Sequence, residues 1–145
     1  MNILYNKNKN NIPKEYALFL DDDENRIPQK LSWIELPFIP YVIVRNYNEF
    51  VECITNNGLP TIHLSFDHDL NLADYSEYHR AHNSDKTINY NNIKEMTGYH
   101  CSKWLAEYCI ERNLKIPIYT VHSLNYMGKQ NIISVLESAK KILDK

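Results

Sequence analysis

Three times along the chain, side chains able to do chemistry follow directly on an apolar run. Asp21-Asp22-Asp23 follows Ala17–Leu20, Asp67-His68-Asp69 follows Thr61–Phe66, and His122-Ser123 follows Ile116–Val121. Adjacent carboxylates repel one another, so such a cluster is either a solvated turn or one wall of a cation site. Hard divalent ions take oxygen ligands, typically one or two carboxylates completed by water and substrate phosphate. Asp21, Asp22 and Asp67 are therefore the candidate ligands for Mg2+ or Mn2+. Asp67 could instead attack phosphorus as a nucleophile. His68 and His122 bring imidazoles suited to acid–base work, and Ser123 brings a hydroxyl. Arg26 can clamp a phosphate through two parallel hydrogen bonds. Asn125, Gly128 and Lys129 fall where the chain enters its last helix, a place where backbone N–H groups meet anions.

Taken singly, each of these residues has a plainer role. Aspartates favour turns and helix starts, a histidine after a strand commonly packs, and a loop glycine needs no ligand. Convergence is what tips the balance, so the elements that position the clusters matter. Tyr16–Leu20, Tyr41–Val44, Thr61–Phe66 and Ile116–Val121 read as short buried strands. Phe50, Val51 and Ile54 mark a helix stopped at Asn57-Gly58. Thr97-Gly98 opens another, with Cys101, Trp104, Leu105, Tyr108 and Cys109 at helical spacing, and a last helix covers about 129–143. Alternation of strand and helix implies βαβ units and a parallel sheet with helices on both faces. Ligands of such sheets bind outside the carboxyl ends of the strands, which is where all three polar clusters fall.

Other stretches are less regular. Residues 1–14, rich in Asn and Lys, read as a loose arm or an edge element. Pro28, Pro37 and Pro40 make any helix between 26 and 40 short or irregular. Residues 70–96 are polar and patternless, an insertion loop expected to be a lid or partly disordered. Its tyrosines Tyr75, Tyr78 and Tyr90 could stack on a base but fit a solvated loop better, and the His79/His82 pair carries little weight as a zinc site.

Composition bounds the rest. The 145 residues suit a single domain, and a net charge of -2 gives no field for tight binding to duplex nucleic acid. No run is apolar enough for a membrane span, and the N-terminus is too polar for a signal peptide, so a cytoplasmic protein is expected. The odd number of cysteines, Cys53, Cys101 and Cys109, reads as small core residues.

Asp21-x-Asp23 has the spacing seen in haloacid-dehalogenase phosphatases, but the later order of motifs differs, so that likeness is local. Asp21-Asp22, then Asp67, then Ser123 is similar to the order in response-regulator receiver domains, although the Lys after a fifth strand is missing. The blocks FLDDDENRIP, SFDHDL, TGYHCSKWL and VHSLNYMGKQNI (residues 19–28, 65–70, 97–105 and 121–132) resemble the cyclic-phosphate processing receiver domain more closely. Asn71 stands where that family usually has a small residue.

This resemblance implies a three-layer α/β, mostly parallel, receiver-like (flavodoxin-like) sheet of four or five strands, spanning residues 1–145 as one domain with the insertion at about 70–96. It also implies hydrolysis or opening of a cyclic phosphate on a nucleotide or RNA end. The converging strand ends themselves suggest a metal-dependent phosphodiesterase with Mg2+ or Mn2+ at Asp21, Asp22 and Asp67. His68 or His122 would protonate the leaving oxygen, and Ser123, Asn125, Lys129 and N–H groups near Gly128 would meet the phosphoryl oxygens. The alternatives are a non-catalytic module that binds a nucleotide or a partner protein, and a metal-free acid–base pair of His68 and His122.

Overall fold

A computed structural model describes residues 12–145 together with the short strand at Tyr5–Asn6. Its centre is an all-parallel sheet of β1 (Tyr5–Asn6), β2 (Ala17–Leu20), β3 (Tyr41–Val44), β4 (His63–Phe66) and β5 (Tyr119–Val121), in the spatial order β1-β3-β2-β4-β5. The four longer strands thus follow the receiver order, the first of them lying between the second and the third. The N-terminal arm supplies the edge strand, in register with Tyr41 and Val42 of β3. Among the described residues no strand pairs with the outer edge of β5.

The apolar runs are buried on both faces because both faces are covered, but the two covers differ. Leu18, Leu20, Val42, Val44, Leu64, Phe66 and Val121 point to one side. There they meet Phe50 and Ile54 of α1 (Tyr47–Asn57), Cys101, Leu105 and Cys109 of α3 (Gly98–Arg112), and Ile132 and Leu136 of α4 (Tyr126–Leu143). Each such large apolar side chain, fully buried, contributes about 1.5–3 kcal/mol. Ala17, Phe19, Tyr41 and Ile43 point to the other side, where Ile27, Leu31, Ile34, Leu36 and Ile39 lie on them. That cover is an extended strap with a single 3-10 turn at Pro28–Lys30, not a helix. The sequence pattern predicts helices on both faces; the prolines that remove backbone donors make one of the two outer layers irregular.

The helix ends are chemically specified. Asn46 caps α1 by accepting from the N–H of Glu49, and Gly58 closes it with φ 82°, a conformation that favours glycine. Thr97 and His100 form a reciprocal capping box at the start of α3. Asn125 caps α4 through the N–H of Gly128, so this helix begins three residues ahead of the position its apolar pattern suggests. The 70–96 segment is ordered: it contains α2 (Ser76–Asn83) and a 3-10 turn at Tyr90–Asn92. Glu77, 5 % exposed, ties these together, accepting from Arg80, from the N–H of Asn89 and from Asn92. Among the described residues, no helix is long and apolar enough to cross a membrane.

Candidate active site

Strand register gathers the site. Leu20 pairs with Phe66, and Phe66 with Val121, so the residues that follow them stand side by side. The sheet ladder runs one step further: the N–H of Asp21 donates to Val44, that of Asp67 to Leu20, and that of His122 to Phe66. Side chains alternate across a strand, and Asp21, Asp67 and His122 share the parity of Phe19 and Ser65. All three are buried, and one potential ligand atom from each lies within 4.8 Å of the others. His122 Nε2 is 3.0 Å from Asp21 Oδ2, and its ring stacks on Phe19 with centroids 4.5 Å apart.

In front of this trio is a cavity of about 310 Å³ lined by Asp22, Asp23, Arg26, Asp67, Asp69, Tyr75, Ser123, Leu124 and Asn125. Arg26 leans over it with Nη1 3.5 Å from Asp21 Oδ2 and 3.9 Å from Asp67 Oδ2, and Nε 3.6 Å from Asp23 Oδ2. Burial works against its charge, but Asp21, Asp67 and Asp23 together hold its pKa above the ordinary value. The guanidinium also covers Trp33, 5.2 Å from the ring centroid. Asp22 lines the cavity, and its Oδ2 accepts the N–H of Asn71. Asn71 sits at φ 55°, a left-handed conformation that asparagine tolerates better than most residues. Ser123 accepts the N–H of Asn125, and Asn125 donates to Asp69.

Electrostatics divide the two aspartates of the 67–69 turn. Burial, followed by the charges of Asp21, Asp69 and Asp22, pushes the Asp67 carboxyl up to about 8. Asp69 is also partly buried, yet hydrogen bonds from His68, Asn125 and Tyr78 hold its carboxyl below the usual range. For His122, burial lowers the pKa more than the adjoining Asp21 raises it, so the ring is neutral near pH 7. Crowded, buried carboxylates with Arg26 as their nearest cation form a donor set that a divalent ion would relieve. Oxygen donors of this kind suit Mg2+ or Mn2+.

The other expected site residues are placed unevenly. His68 is fully buried and has the opposite parity. Nδ1 meets Asp69 at 2.7 Å and Tyr78 at 3.2 Å, and Nε2 meets Tyr90 at 2.8 Å. Neither His68 nor His122 reaches the cavity wall. The N–H of Gly128 is spent on capping by Asn125. Glycine is required there because a β-carbon would collide with the His68 ring. Lys129 lines a different groove, along the edge of β5 with Ile118, Ile133 and Glu137. His79 and His82 are exposed on α2.

Sequence reasoning missed several residues that build the site. Arg45 donates to the carbonyls of Asp21 and Asp23 and so shapes the acidic turn. Gly98 lets α3 start against the Asp67–His68 backbone, where a β-carbon would strike the Asp67 carbonyl; its N–H donates to the His68 carbonyl. Ser65 and Thr120 lie behind His122. Ser65 and Thr120 read as ordinary strand residues, and a lone arginine after a strand carries no signal. Only the glycine in the Thr97-Gly98 helix start hinted at a close approach.

Fold and site together define a receiver-like α/β protein with an acidic pocket at the carboxyl ends of its strands. A family model described as the cyclic-phosphate processing receiver domain matches residues 16–138, and the chain belongs to that family. No curated protein and no solved structure matches the chain.

Proposed function

We propose that the protein is a metal-dependent phosphodiesterase that hydrolyses or opens a cyclic phosphate, such as a 2′,3′-cyclic nucleotide or the corresponding RNA end. The observation that carries this reading is the convergence of Asp21, Asp67 and His122 behind a cavity that Asp22, Arg26, Ser123 and Asn125 also line. Asp21, Asp22 and Asp67 would hold Mg2+ or Mn2+, with His122 orienting Asp21 from behind. Such an ion, when bound, polarises a phosphoryl oxygen and activates water. Arg26 reaches over the carboxylates from the cavity side and would meet an entering phosphate bidentately. The Ser123 hydroxyl and Asn125 amide would donate to the equatorial oxygens. The two histidines stand behind Asp21 and Asp69, so each acts through the carboxylate it holds, not by touching the leaving ribose oxygen.

A second reading is a non-catalytic module that binds a nucleotide or a partner. It is favoured by the salt bridges of Arg26, which already offset the carboxylates, and by the absence of a strand beyond β5 among the described residues. Incubation with a panel of 2′,3′-cyclic nucleotides in Mg2+ or Mn2+ separates the two. Turnover that is lost with chelator and in Asp67→Asn supports the enzyme. No turnover with any substrate and metal rules it out, and nucleotide binding that survives Asp67→Asn without metal selects the module.

A further inference from the structure

On the strap side of the sheet a file of polar side chains runs inward from the site through what is otherwise core. His122 Nδ1 is 2.7 Å from Ser65 Oγ, Ser65 Oγ is 2.7 Å from Thr120 Oγ1, and Thr120 Oγ1 is 3.1 Å from His63 Nε2. Ser65 and His122 are fully buried and His63 is 5 % exposed. Strand register explains the file: Ser65 pairs with Thr120 across β4 and β5, and His63, Ser65, Thr120 and His122 all point to one face. Buried polar groups in a core are costly unless each finds a partner. Three of them, joined through the half-buried Thr120 and ending beside the candidate metal ligand Asp21, call for an explanation beyond packing.

Counting protons gives one. Each contact in the series needs one hydrogen, and each hydroxyl owns one. Asp21 Oδ2 also faces Arg26 Nη1 at 3.5 Å and so accepts, which puts the hydrogen of the 3.0 Å contact on His122 Nε2. A ring with its single hydrogen there has a bare Nδ1, which must accept from Ser65. Ser65 has no second hydrogen and must accept from Thr120, and Thr120 in turn must accept from His63 Nε2. Every donor therefore points toward Asp21, without any change of charge along the file.

We propose that Ser65, backed by Thr120 and His63, is a positioning residue that fixes the tautomer and tilt of His122 and thereby aims its Nε2–H at Asp21. The consequence for turnover rests on the phosphodiesterase reading; the tautomers do not. Partners behind a ligand set commonly matter tenfold or more.

Long-range nitrogen–proton NMR of the imidazole rings in the full-length protein reads the tautomers directly. The expected result is Nε2–H for both His122 and His63, with His122 Nδ1 shifted as a hydrogen-bonded acceptor. In Ser65→Ala that Nδ1 signal should move to the position of a bare nitrogen. In Thr120→Val, which keeps the side-chain shape, His63 should lose its single tautomer, and Thr120→Ser should restore it. With a 2′,3′-cyclic nucleotide, Ser65→Ala should lower kcat about tenfold at constant KM. An Nδ1–H form of either histidine in the wild type, or a His63 indifferent to Thr120→Val, overturns the proposal, as does an unchanged kcat. If the variants do not fold, the wild-type spectrum decides. If the wild type turns over no cyclic phosphate, the enzyme reading falls and the spectra still decide this one.

Discussion

His68 and His122 stand past the ends of neighbouring strands, both fully buried and both bonded to a carboxylate, yet they serve different neighbourhoods. His122 follows its strand immediately and shares the pleat side of Asp21 and Asp67. His68 comes one residue later along β4 and points to the helical side, where Gly128, Tyr78 and Tyr90 enclose it. One ring supports the candidate cation site; the other ties the 70–96 segment and α4 to the turn that presents Asp69. A single residue of offset decides between them, because strand side chains alternate. Residue type and strand-end position are thus insufficient to assign a histidine to catalysis.

Exchanging each ring for a side chain of similar polarity is the most direct way to break this comparison. His122→Asn should weaken Mn2+ binding about ten- to a hundredfold by calorimetry, as for other groups that orient metal ligands. His68→Asn should leave ion affinity unchanged and lower unfolding stability by about 1–3 kcal/mol, because Tyr90, Tyr78 and Asp69 lose a buried partner. Equal losses of ion affinity in the two variants would erase the distinction.

The two aspartates that flank His68 sharpen the contrast through pH. The Asp67 carboxyl is raised to about 8 when folded but titrates at the ordinary value when unfolded. Between those values the folded state binds the extra proton, so the ion-free protein should lose stability as pH rises from about 4 to 8. Asp67→Asn keeps an acceptor for the His68 N–H and should flatten this slope, making the variant more stable than wild type at pH 8 in urea unfolding. Mg2+ or Mn2+ at pH 8 should stabilise the wild type and not the variant. A wild-type slope of opposite sign would show that Asp67 is ionised before the ion arrives.

The smallest effect is expected at Lys129, which faces the β5 groove and not the acidic cavity. Lys129→Ala should leave kcat/KM within about twofold, the range of surface substitutions that touch no special feature. A tenfold loss would place the phosphate on the other side of α4.

Much of the architecture was legible because it rests on local pattern. Short apolar runs bounded by polar turns announced four strands, and Asn57-Gly58 and Thr97-Gly98 marked helix ends that the structure keeps. The strap at 27–40 was legible as irregular from its prolines, but not as the layer that covers Phe19 and Tyr41. The 70–96 segment was illegible as an ordered unit, because Glu77 holds it through bonds to Arg80, Asn89 and Asn92 that no periodic pattern encodes.

For the site, the linear order of residues determined that Asp21, Asp67 and His122 would end parallel strands, since apolar runs select the sheet and parallel strands all end at one rim. Tertiary structure alone decided which side of the pleat each side chain took, and therefore that Arg26 leans over the acids while Lys129 faces elsewhere. It also decided that Gly128 makes room for a histidine ring and that Ser65 and Thr120 back His122. Those outcomes depend on register and on contacts between residues distant in the chain, and neither is written in the spacing of any one segment.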